Sequence, residues 1–378
     1  MAKIRLYTPG PTPVPEQVLL DMAQPMDHHR TKQYQDLLAE ATNGLKYVLR
    51  TQNDVLTFTS SGTGAMEGAI VCCAQPGRKA LVVSGGKFGE RWGLVCQAFG
   101  IEHTILDVEW GRGVEPTMIE QHLKNDPKIG MVIVVHCETS TAAASDIEAI
   151  GKIVAKTDAL LLIDAISSAG GMPIKTDEWK LDIVVTGSQK ALMLPPGLAF
   201  AAVSEKAWKV IDANKPKAFY FDYRAYRKAI KKNDAPYTPA LTLVRGLHRS
   251  LQMIQQEGIE NVWKRTETLA KASRAAFVAM GLKIYATNPA DSVTAVCVPE
   301  GLDEAQLRKT LRSDYGVHLA GGQGELTGKV FRITHMGYID VVDTLGALGA
   351  IEAVLIRMGH KLTPGAGLAA AQKVLVKQ

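Results

Sequence analysis

Cysteine is scarce in this sequence and does not form the patterns that bind metals or build disulfide frameworks. Among 378 residues there are five cysteines, and no two of them are spaced as a Cys-x-x-Cys pair. The nine histidines include no His-Glu-x-x-His motif. We therefore expect no metal site, and we expect the cysteines to behave as small buried residues. They are Cys72, Cys73, Cys96, Cys137 and Cys297.

Long apolar runs and blocks of one charge are also missing. No stretch approaches the roughly 18 apolar residues that a membrane-spanning helix needs, and the first ten residues lack the apolar segment of a signal peptide. Lysine and arginine together number 43 and aspartate and glutamate 38, a net charge of +5. These charges form no basic stripe of the kind typical of nucleic-acid binding. We expect a cytoplasmic, soluble protein with no nucleic-acid or membrane partner.

The composition is that of a folded protein. Apolar residues make up 46% of the chain and charged residues 21%, which excludes the low hydrophobicity of a disordered protein. At roughly 100–200 residues per domain, the length indicates about two domains. We divide the chain into an extended, proline-rich arm over residues 1–30, a large domain over 31–260 and a small C-terminal domain over 261–378.

Apolar strands and helices alternate along the predicted large domain. An amphipathic helix is predicted over Thr31–Arg50, and short apolar segments separated by helical stretches follow it. Strands that are apolar throughout and alternate with helices are typical of a parallel sheet covered on both faces. We therefore expect an α/β fold with a mostly parallel, doubly wound sheet. The predicted strands are Val55–Thr59, Ala80–Ser84, His103–Asp107, Met131–His136, Ala159–Asp164, Asp182–Thr186 and Leu198–Val203.

The pattern changes after about residue 240. A long helical segment over Leu241–Met280, interrupted near Gly258, leads into a smaller α+β region. A turn near the end of the chain is expected to precede a last short helix. The predicted strands of this region are Lys283–Tyr285, Thr294–Val298 and Val330–Thr334, and its predicted helices lie near Asp303–Ser313 and Val341–Met358.

Small and polar residues follow the first predicted strand, at the edge where open α/β sheets bind ligands. The segment Thr59–Glu67 is rich in glycine and serine and opens a helix, which favours a phosphate at the free amides but fits a tight turn equally well. Its glycines, Gly62, Gly64 and Gly68, lack the Gly-x-Gly-x-x-Gly spacing of a dinucleotide site. That spacing argues against a nucleotide-dependent dehydrogenase.

An aspartate and a lysine follow two further strands. Asp164 is either a helix cap or a buried carboxylate that needs a positive partner. Lys190 lies in a tight loop, where it is either solvated or desolvated enough to act as an imine-forming nucleophile. A phosphate-binding turn, an aspartate and a lysine in this order supply what pyridoxal phosphate needs for its phosphate, its ring nitrogen and its aldehyde.

On these residues the sequence resembles the class V aminotransferases of the alanine–glyoxylate and serine–pyruvate type, which have the type I pyridoxal-phosphate transferase fold. The resemblance extends over nearly the whole chain, and its most specific motifs are Thr186-Gly-Ser-Gln-Lys190 and Thr327-Gly-Lys-Val-Phe-Arg332-Ile. The other matching segments are Pro9–Pro13, Ser61–Glu67, His136–Thr141, Leu162–Ser168, Pro195–Gly197 and Tyr237–Pro239.

The resemblance implies a role for each matching residue. Lys190 is implied to bind the cofactor aldehyde covalently, and Asp164 to pair with the ring nitrogen. Arg332 is implied to bind the substrate α-carboxylate. Thr238 is implied to reach the phosphate in the neighbouring subunit, so that a homodimer shares its active sites. The other implied cofactor-binding residues are Ser61, Gly62, Thr63 and Gln189 at the phosphate, Thr139 near the phenolic oxygen, and Phe88 and Ile166 on the two ring faces.

The implied activity is transfer of an amino group from alanine or serine to glyoxylate or pyruvate by a ping-pong mechanism. An aspartate or 2-aminoethylphosphonate donor stays open, as does a non-catalytic assembly subunit that kept the fold. A cysteine desulfurase is opposed, because Cys297 lies in a predicted strand rather than on a mobile loop. Tyr237 has no assigned role, and His28–Arg30 either lie at the active-site entrance or are surface residues.

Overall fold

The computed structural model of the protein describes residues 3–376, so two residues of the predicted arm and two of the predicted small domain lie outside the described residues. Within that range, thirteen α-helices alternate with strands and loops. The helices are α1 (Glu16–Met22), α2 (Lys32–Leu49), α3 (Gly62–Cys73), α4 (Lys87–Ala98), α5 (Pro116–Asn125), α6 (Ile147–Val154), α7 (Glu205–Ala213), α8 (Tyr223–Ile230), α9 (Leu241–Glu257), α10 (Ile259–Ala279), α11 (Glu304–Tyr315), α12 (Val341–Arg357) and α13 (Ala366–Leu375).

The same residues form fourteen strands, several of them only two residues long. A single 3-10 turn at Gly324–Leu326 completes the regular structure of residues 3–376. The strands are β1 (Arg5–Leu6), β2 (Asp54–Thr59), β3 (Lys79–Ser84), β4 (His103–Asp107), β5 (Ile129–Val135), β6 (Cys137–Glu138), β7 (Ala143–Ala144), β8 (Leu160–Asp164), β9 (Ile183–Gly187), β10 (Leu198–Val203), β11 (Val293–Cys297), β12 (Val317–His318), β13 (Ala320–Gly321) and β14 (Val330–Thr334).

Seven strands form the large sheet, in the order β2-β10-β9-β8-β5-β3-β4. Strand β10 is antiparallel to both of its neighbours, β2 and β9. The four remaining pairs, β9-β8, β8-β5, β5-β3 and β3-β4, are parallel. Alternate residues of β5 enter two cores, Val132 and Val134 on one face and Met131 and Ile133 on the other. Because both faces are covered, the strands are apolar throughout. The predicted α/β fold with a mostly parallel sheet is confirmed.

The N-terminal segment is not extended throughout. Strand β1 pairs in parallel with β12, and α1 packs against α9, with Val18 completely buried in the core that they share. The prediction of an extended arm is therefore wrong over Glu16–Met22. A helix of seven residues is too short to show a helical period, and burial against α9 stabilises it instead.

The C-terminal part forms a small antiparallel sheet, in the order β11-β14-β13, covered by helices α10 to α13. Gly258 ends α9 and begins α10 with a φ of 86°, which confirms the predicted interruption of the long helix. The predicted boundary between residues 260 and 261 falls in the first turn of α10. The predicted strand Lys283–Tyr285 is wrong, because only Ile284 forms an isolated bridge, to Val296.

Candidate active site

Four strands of the large sheet that run in the same direction bring the predicted residues to one edge. Asp164 is the last residue of β8, and Lys190 follows β9 by three residues. Ser61 follows β2, and Thr139 follows β5 and the short strand β6. Because the carboxyl ends of parallel strands meet at the same edge, residues far apart in sequence lie around one space there.

Lys190 is a buried amine, with 8% of its surface exposed. Its Nζ donates a hydrogen bond of 2.6 Å to the carbonyl oxygen of Pro9, in the N-terminal segment. Burial lowers the pKa of Lys190, Cys137 and Asp164 raise it, and the positive charges of Arg332 and Arg91 lower it, so that the resulting pKa is about 8. An amine with this pKa is partly unprotonated near neutral pH and can act as a nucleophile or a base.

Asp164 is held by two donors. Its Oδ2 accepts a hydrogen bond of 3.0 Å from Nε1 of Trp92, and its Oδ1 accepts one of 3.0 Å from the amide of Ile166. Burial raises the pKa of Asp164, while these donors and Lys190 favour the charged form. Within residues 3–376 no cationic side chain forms an ion pair with this carboxylate. It can therefore serve a positively charged ring nitrogen.

Helix α3 presents its N-terminus to the same space. Ser61 is the N-cap, and no side chain caps the helix, so the amides of Gly62 and Thr63 have no acceptor within the helix. A Cβ atom on Gly62 would lie 2.5 Å from Cδ1 of Ile166, so only glycine fits there without displacing that side chain. Unpaired amides and the positive end of the helix dipole favour an anion such as phosphate.

Gln189, beside Lys190, has a buried side-chain oxygen without a hydrogen-bond partner in residues 3–376. A buried amide group with an unsatisfied atom is uncommon in folded proteins. The oxygen can only accept a hydrogen bond, so it is the nitrogen of the same side chain that would donate to a bound anion. Its position fits the predicted role at a phosphate.

Glu138 connects the segment after β5 to helix α4. Its carboxylate accepts hydrogen bonds of 3.1 Å from the amide of Phe88 and 3.0 Å from the amide of Gly89, in the first turn of α4. It also accepts from the hydroxyl and amide of Ser140. Burial raises the pKa of Glu138, and these donors lower it. The carboxylate thus caps the helix that carries both Phe88 and Trp92.

Arg332, on β14, is a guanidinium with 6% of its surface exposed. Nε and Nη2 donate to the carbonyl oxygen of Gly321 at 3.0 and 2.8 Å, and Nη1 donates to that of Thr139 at 2.8 Å. None of the carboxylates in residues 3–376 forms an ion pair with it. Burial lowers the pKa of Arg332 and the nearby Glu138 raises it, and the resulting pKa is about 10. A buried cation that is bonded only to carbonyls is suited to an anionic ligand.

The hydroxyl of Thr139 donates a hydrogen bond of 2.6 Å to Oγ of Ser167, and both side chains are buried. Phe88 is half-buried beside the same strands, and Ile166 contacts α3. The structure therefore brings together ten of the predicted residues, namely Ser61, Gly62, Thr63, Phe88, Thr139, Asp164, Ile166, Gln189, Lys190 and Arg332.

Thr238 is not part of that group in this chain. It is exposed, on the segment between α8 and α9. Its neighbour Tyr237 stacks on Tyr220 with ring centroids 5.0 Å apart. In the segment His28–Arg30, Arg30 forms an ion pair with Asp234 rather than contacting Lys190.

Three contributors to the site were missed from the sequence. Trp92 lies one helical turn after Phe88, where it looks like any buried aromatic residue. Glu138 lies in the segment His136–Thr141, for which only Thr139 has a predicted role, although a carboxylate next to a buried strand needs donors. The contact of Pro9 with Lys190 joins residues 181 positions apart, and no local pattern predicts such a contact.

The family of the chain follows from its similarity to known proteins. The family profile described as aminotransferase class-V matches residues 4–335. The chain belongs to the class V aminotransferase family. Class V aminotransferases depend on pyridoxal phosphate, and this chain offers an uncapped helix N-terminus, a buried carboxylate without an ionic partner and a buried amine. Those three features of the structure fit the phosphate, the ring nitrogen and the aldehyde of that cofactor.

The proteins to which this chain is similar have several different names. The chain is 42% identical to a protein of Synechococcus sp. named soluble hydrogenase, small subunit, covering 99% of this chain and 98% of that one. It is 39% identical to an L-aspartate–glyoxylate aminotransferase of Paracoccus denitrificans (97% and 95% covered). It is 38% identical to a serine–glyoxylate aminotransferase of Methylorubrum extorquens (98% and 95% covered).

A solved structure has the same fold over the whole length of this chain. The crystal structure of pyridoxamine–pyruvate aminotransferase from Mesorhizobium loti superposes with a TM-score of 0.95 at 31% identity, covering 100% of this chain and 98% of that one. Among the helices of residues 3–376, none combines the length and apolarity that crossing a membrane requires. The same residues contain no group of three or more His, Cys, Asp or Glu side chains arranged to hold a metal ion.

Proposed function

We propose that this aminotransferase transfers the amino group of a small amino acid, alanine or serine, to glyoxylate or pyruvate, with pyridoxal phosphate bound at Lys190. The observation that carries the proposal is the buried guanidinium of Arg332, which has no carboxylate partner in residues 3–376. Arg332 is close enough to Lys190 for its charge to lower the pKa of the amine. A carboxylate bound at Arg332 would therefore lie near the reactive nitrogen.

Different residues of the site would have different roles in transamination. When bound, pyridoxal phosphate supplies an aldehyde carbon and an electron-withdrawing ring that stabilises negative charge at the substrate Cα. The amides of Gly62 and Thr63 would hold its phosphate, and Asp164 would keep a proton on its ring nitrogen. Lys190, with a pKa of about 8, would then take the proton from the substrate Cα.

Substrate recognition in this proposal depends on the planar fork of Arg332, which binds both oxygens of a carboxylate in one plane. Its three hydrogen bonds to the carbonyl oxygens of Gly321 and Thr139 fix the orientation of that plane. The names of two relatives support glyoxylate as the acceptor, with either serine or aspartate as the donor. A 2-aminoethylphosphonate donor would place a phosphonate rather than a carboxylate at Arg332.

A function of a different class is a non-catalytic assembly subunit. The name of the Synechococcus relative, a hydrogenase subunit, favours testing this alternative. Against it, this chain keeps Lys190, Asp164 and Arg332 in one buried site. Burying a lysine and an arginine that lack ionic partners is unfavourable. A protein without catalytic activity would gain nothing that offsets this cost.

We propose that the protein is a homodimer in which Thr238 reaches the phosphate site of the neighbouring subunit. The exposed position of Thr238 supports this arrangement. So does Phe219, which packs against Tyr237 although 80% of its own surface is exposed. An exposed aromatic cluster of this kind is typical of an interaction surface.

The test is a matrix of donors and acceptors on the purified protein. Alanine, serine, aspartate and 2-aminoethylphosphonate are each paired with glyoxylate and pyruvate, with Lys190→Ala as the inactive control. We expect turnover with alanine or serine, and parallel lines in double-reciprocal plots, as a ping-pong mechanism requires. Turnover with aspartate alone would assign the donor differently. No turnover with any pair, after incubation with pyridoxal phosphate, would support the assembly-subunit alternative.

A further inference from the structure

One short segment, residues 5–12, connects the small domain to the reactive lysine. At its beginning, the amide of Tyr7 donates to the carbonyl of His318, and the amide of Thr334 donates to the carbonyl of Tyr7. The phenol of Tyr7 also donates to the backbone oxygen of Asp343, at 2.7 Å. These bonds attach the segment to β12, to the end of β14 and to the first turn of α12.

The other end of the same segment surrounds Lys190. The carbonyl of Pro9 accepts a hydrogen bond of 2.6 Å from Nζ. The hydroxyl of Thr12 donates to the carbonyl of Lys190 at 2.8 Å, and the amide of Thr12 donates to the carbonyl of Gln189 at 3.1 Å. Thus the amine of Lys190 is bonded to Pro9 and its backbone carbonyl to Thr12, two residues of one short segment.

Gly10 lies against the far end of the lysine side chain. A Cβ atom at Gly10 would be 2.6 Å from both Nζ and Cε of Lys190, and the φ of Gly10 is 149°, a conformation that side chains disfavour. The atoms that would collide belong to the tip of a flexible side chain rather than to the backbone. A methyl group there would therefore displace the amine more readily than it would unfold the protein.

We propose that Gly10 and the Pro9 carbonyl are positioning residues that hold the amine of Lys190, and that residues 5–12 thereby link the small domain to the active site. A carbonyl oxygen can only accept a hydrogen bond. The amine must therefore direct an N–H toward Pro9, which turns its remaining bonds and its lone pair away from Pro9. The expected effect on kcat rests on the proposed function, whereas the position of the Lys190 amine does not depend on it.

Gly10→Ala tests the proposal, with Gly359→Ala as the matched control. Gly359 also has a positive φ, of 90°, but a Cβ atom there would meet nothing within 4 Å. The control therefore reports the effect of backbone strain without a contact to Lys190. In the holoenzyme we expect Gly10→Ala to lower kcat about 100-fold, as a displacement of about 1 Å can do, with a much smaller change in KM. Gly359→Ala should keep kcat within about twofold.

A second readout does not depend on transamination. The full-length chain, freed of cofactor, is reductively methylated with formaldehyde and cyanoborohydride across a pH series, and the Lys190 peptide is quantified by mass spectrometry. The titratable groups that act on Lys190, namely Asp164, Cys137, Arg332 and Arg91, are unchanged in every variant. Loss of the Pro9 acceptor removes a bond that favours the protonated amine. We expect the labelling midpoint of Gly10→Ala to fall below those of the wild type and Gly359→Ala.

Thr12 provides a further pair of variants in case Gly10→Ala does not fold. Thr12→Val removes the hydroxyl that bonds the Lys190 carbonyl, and Thr12→Ser keeps it. We expect Thr12→Val to lower kcat and to shift the labelling midpoint, and Thr12→Ser to restore both. Identical midpoints and kcat values in Gly10→Ala and Gly359→Ala, or in Thr12→Val and Thr12→Ser, would overturn the positioning proposal. A shifted midpoint in a protein without transaminase activity would instead overturn the proposed function alone.

Discussion

Nε1 of Trp92 donates a hydrogen bond of 3.0 Å to Oδ2 of Asp164, and both side chains are buried at the carboxyl edge of the large sheet. The other carboxylate oxygen is bonded to the amide of Ile166. Two fixed donors therefore orient a carboxylate whose pKa burial raises. Because hydrogen bonds to the charged form favour ionisation, Trp92 helps to keep Asp164 charged.

Asp164→Asn should preserve the shape of this site and remove its charge. We expect kcat to fall about 10- to 100-fold, since a hydrogen bond to a charged group contributes about 1.5–3 kcal/mol and about 1.4 kcal/mol corresponds to a factor of ten. Steady-state kinetics per bound cofactor measure the effect. Trp92→Phe removes only one donor and should produce a smaller loss. Full activity in Asp164→Asn would mean that the ring nitrogen does not depend on this carboxylate.

Arg332→Lys keeps the positive charge but loses the two-pronged geometry of the guanidinium. We expect kcat/KM to fall about 30- to 1,000-fold for amino-acid donors, equivalent to about 2–4 kcal/mol. Cofactor binding should not change, because other residues hold the phosphate and ring. Arg249→Lys, at an ion pair with Asp21 that is remote from the site, is the control. An unchanged kcat/KM in Arg332→Lys, or loss of cofactor with normal kinetics per bound cofactor, contradicts the assigned role.

Glu138→Gln tests the carboxylate cap of helix α4. The amide nitrogen of glutamine would face the amides of Phe88 and Gly89, which are themselves donors. We expect the free energy of unfolding to fall by about 1–3 kcal/mol, the usual effect of leaving buried donors unpaired. We also expect the Kd of the cofactor to rise, because Phe88 would move. Denaturant unfolding measures the first effect. The control is Glu325→Gln, at an exposed glutamate. Equal stabilities of the two variants would mean that the Glu138 carboxylate does not stabilise α4.

The low pKa of Lys190 predicts a pH dependence of stability. The folded-state pKa is about 8, below the unfolded value of 10.5, so the unfolded chain binds more protons between these two values. Stability should therefore rise with pH across that interval. Relative to Lys190→Met, the free energy of unfolding of the cofactor-free protein should increase by roughly 3 kcal/mol, at about 1.4 kcal/mol per pKa unit. A difference between the wild type and Lys190→Met that does not change with pH would mean that the amine of Lys190 is not desolvated.

Much of the large sheet was predictable because its strands are buried on both faces. The apolar run from Leu160 to Ile163 ends at Asp164, and this abrupt change of polarity indicates both a strand and the edge where ligands bind. The order of Asp164 and Lys190 after two such strands then predicted their proximity, since parallel strands place their carboxyl ends together.

Other features depend on tertiary contacts that leave no local pattern. Helix α1 is stabilised by the packing of Val18 against α9, and its seven residues carry too little periodicity to predict. Near Ile284, a single bridge to Val296 replaces the predicted strand. The contact of Pro9 with Lys190 and the cap that Glu138 provides for α4 each join distant segments, so only the folded chain reveals them.

The most direct test of the central claim is to locate the cofactor. The purified protein is incubated with pyridoxal phosphate, reduced with borohydride and digested, and the modified peptide is identified by mass spectrometry. We expect one modified residue, Lys190, and no modification at that peptide in Lys190→Ala. An adduct on a different lysine, or none in the wild type, would contradict it.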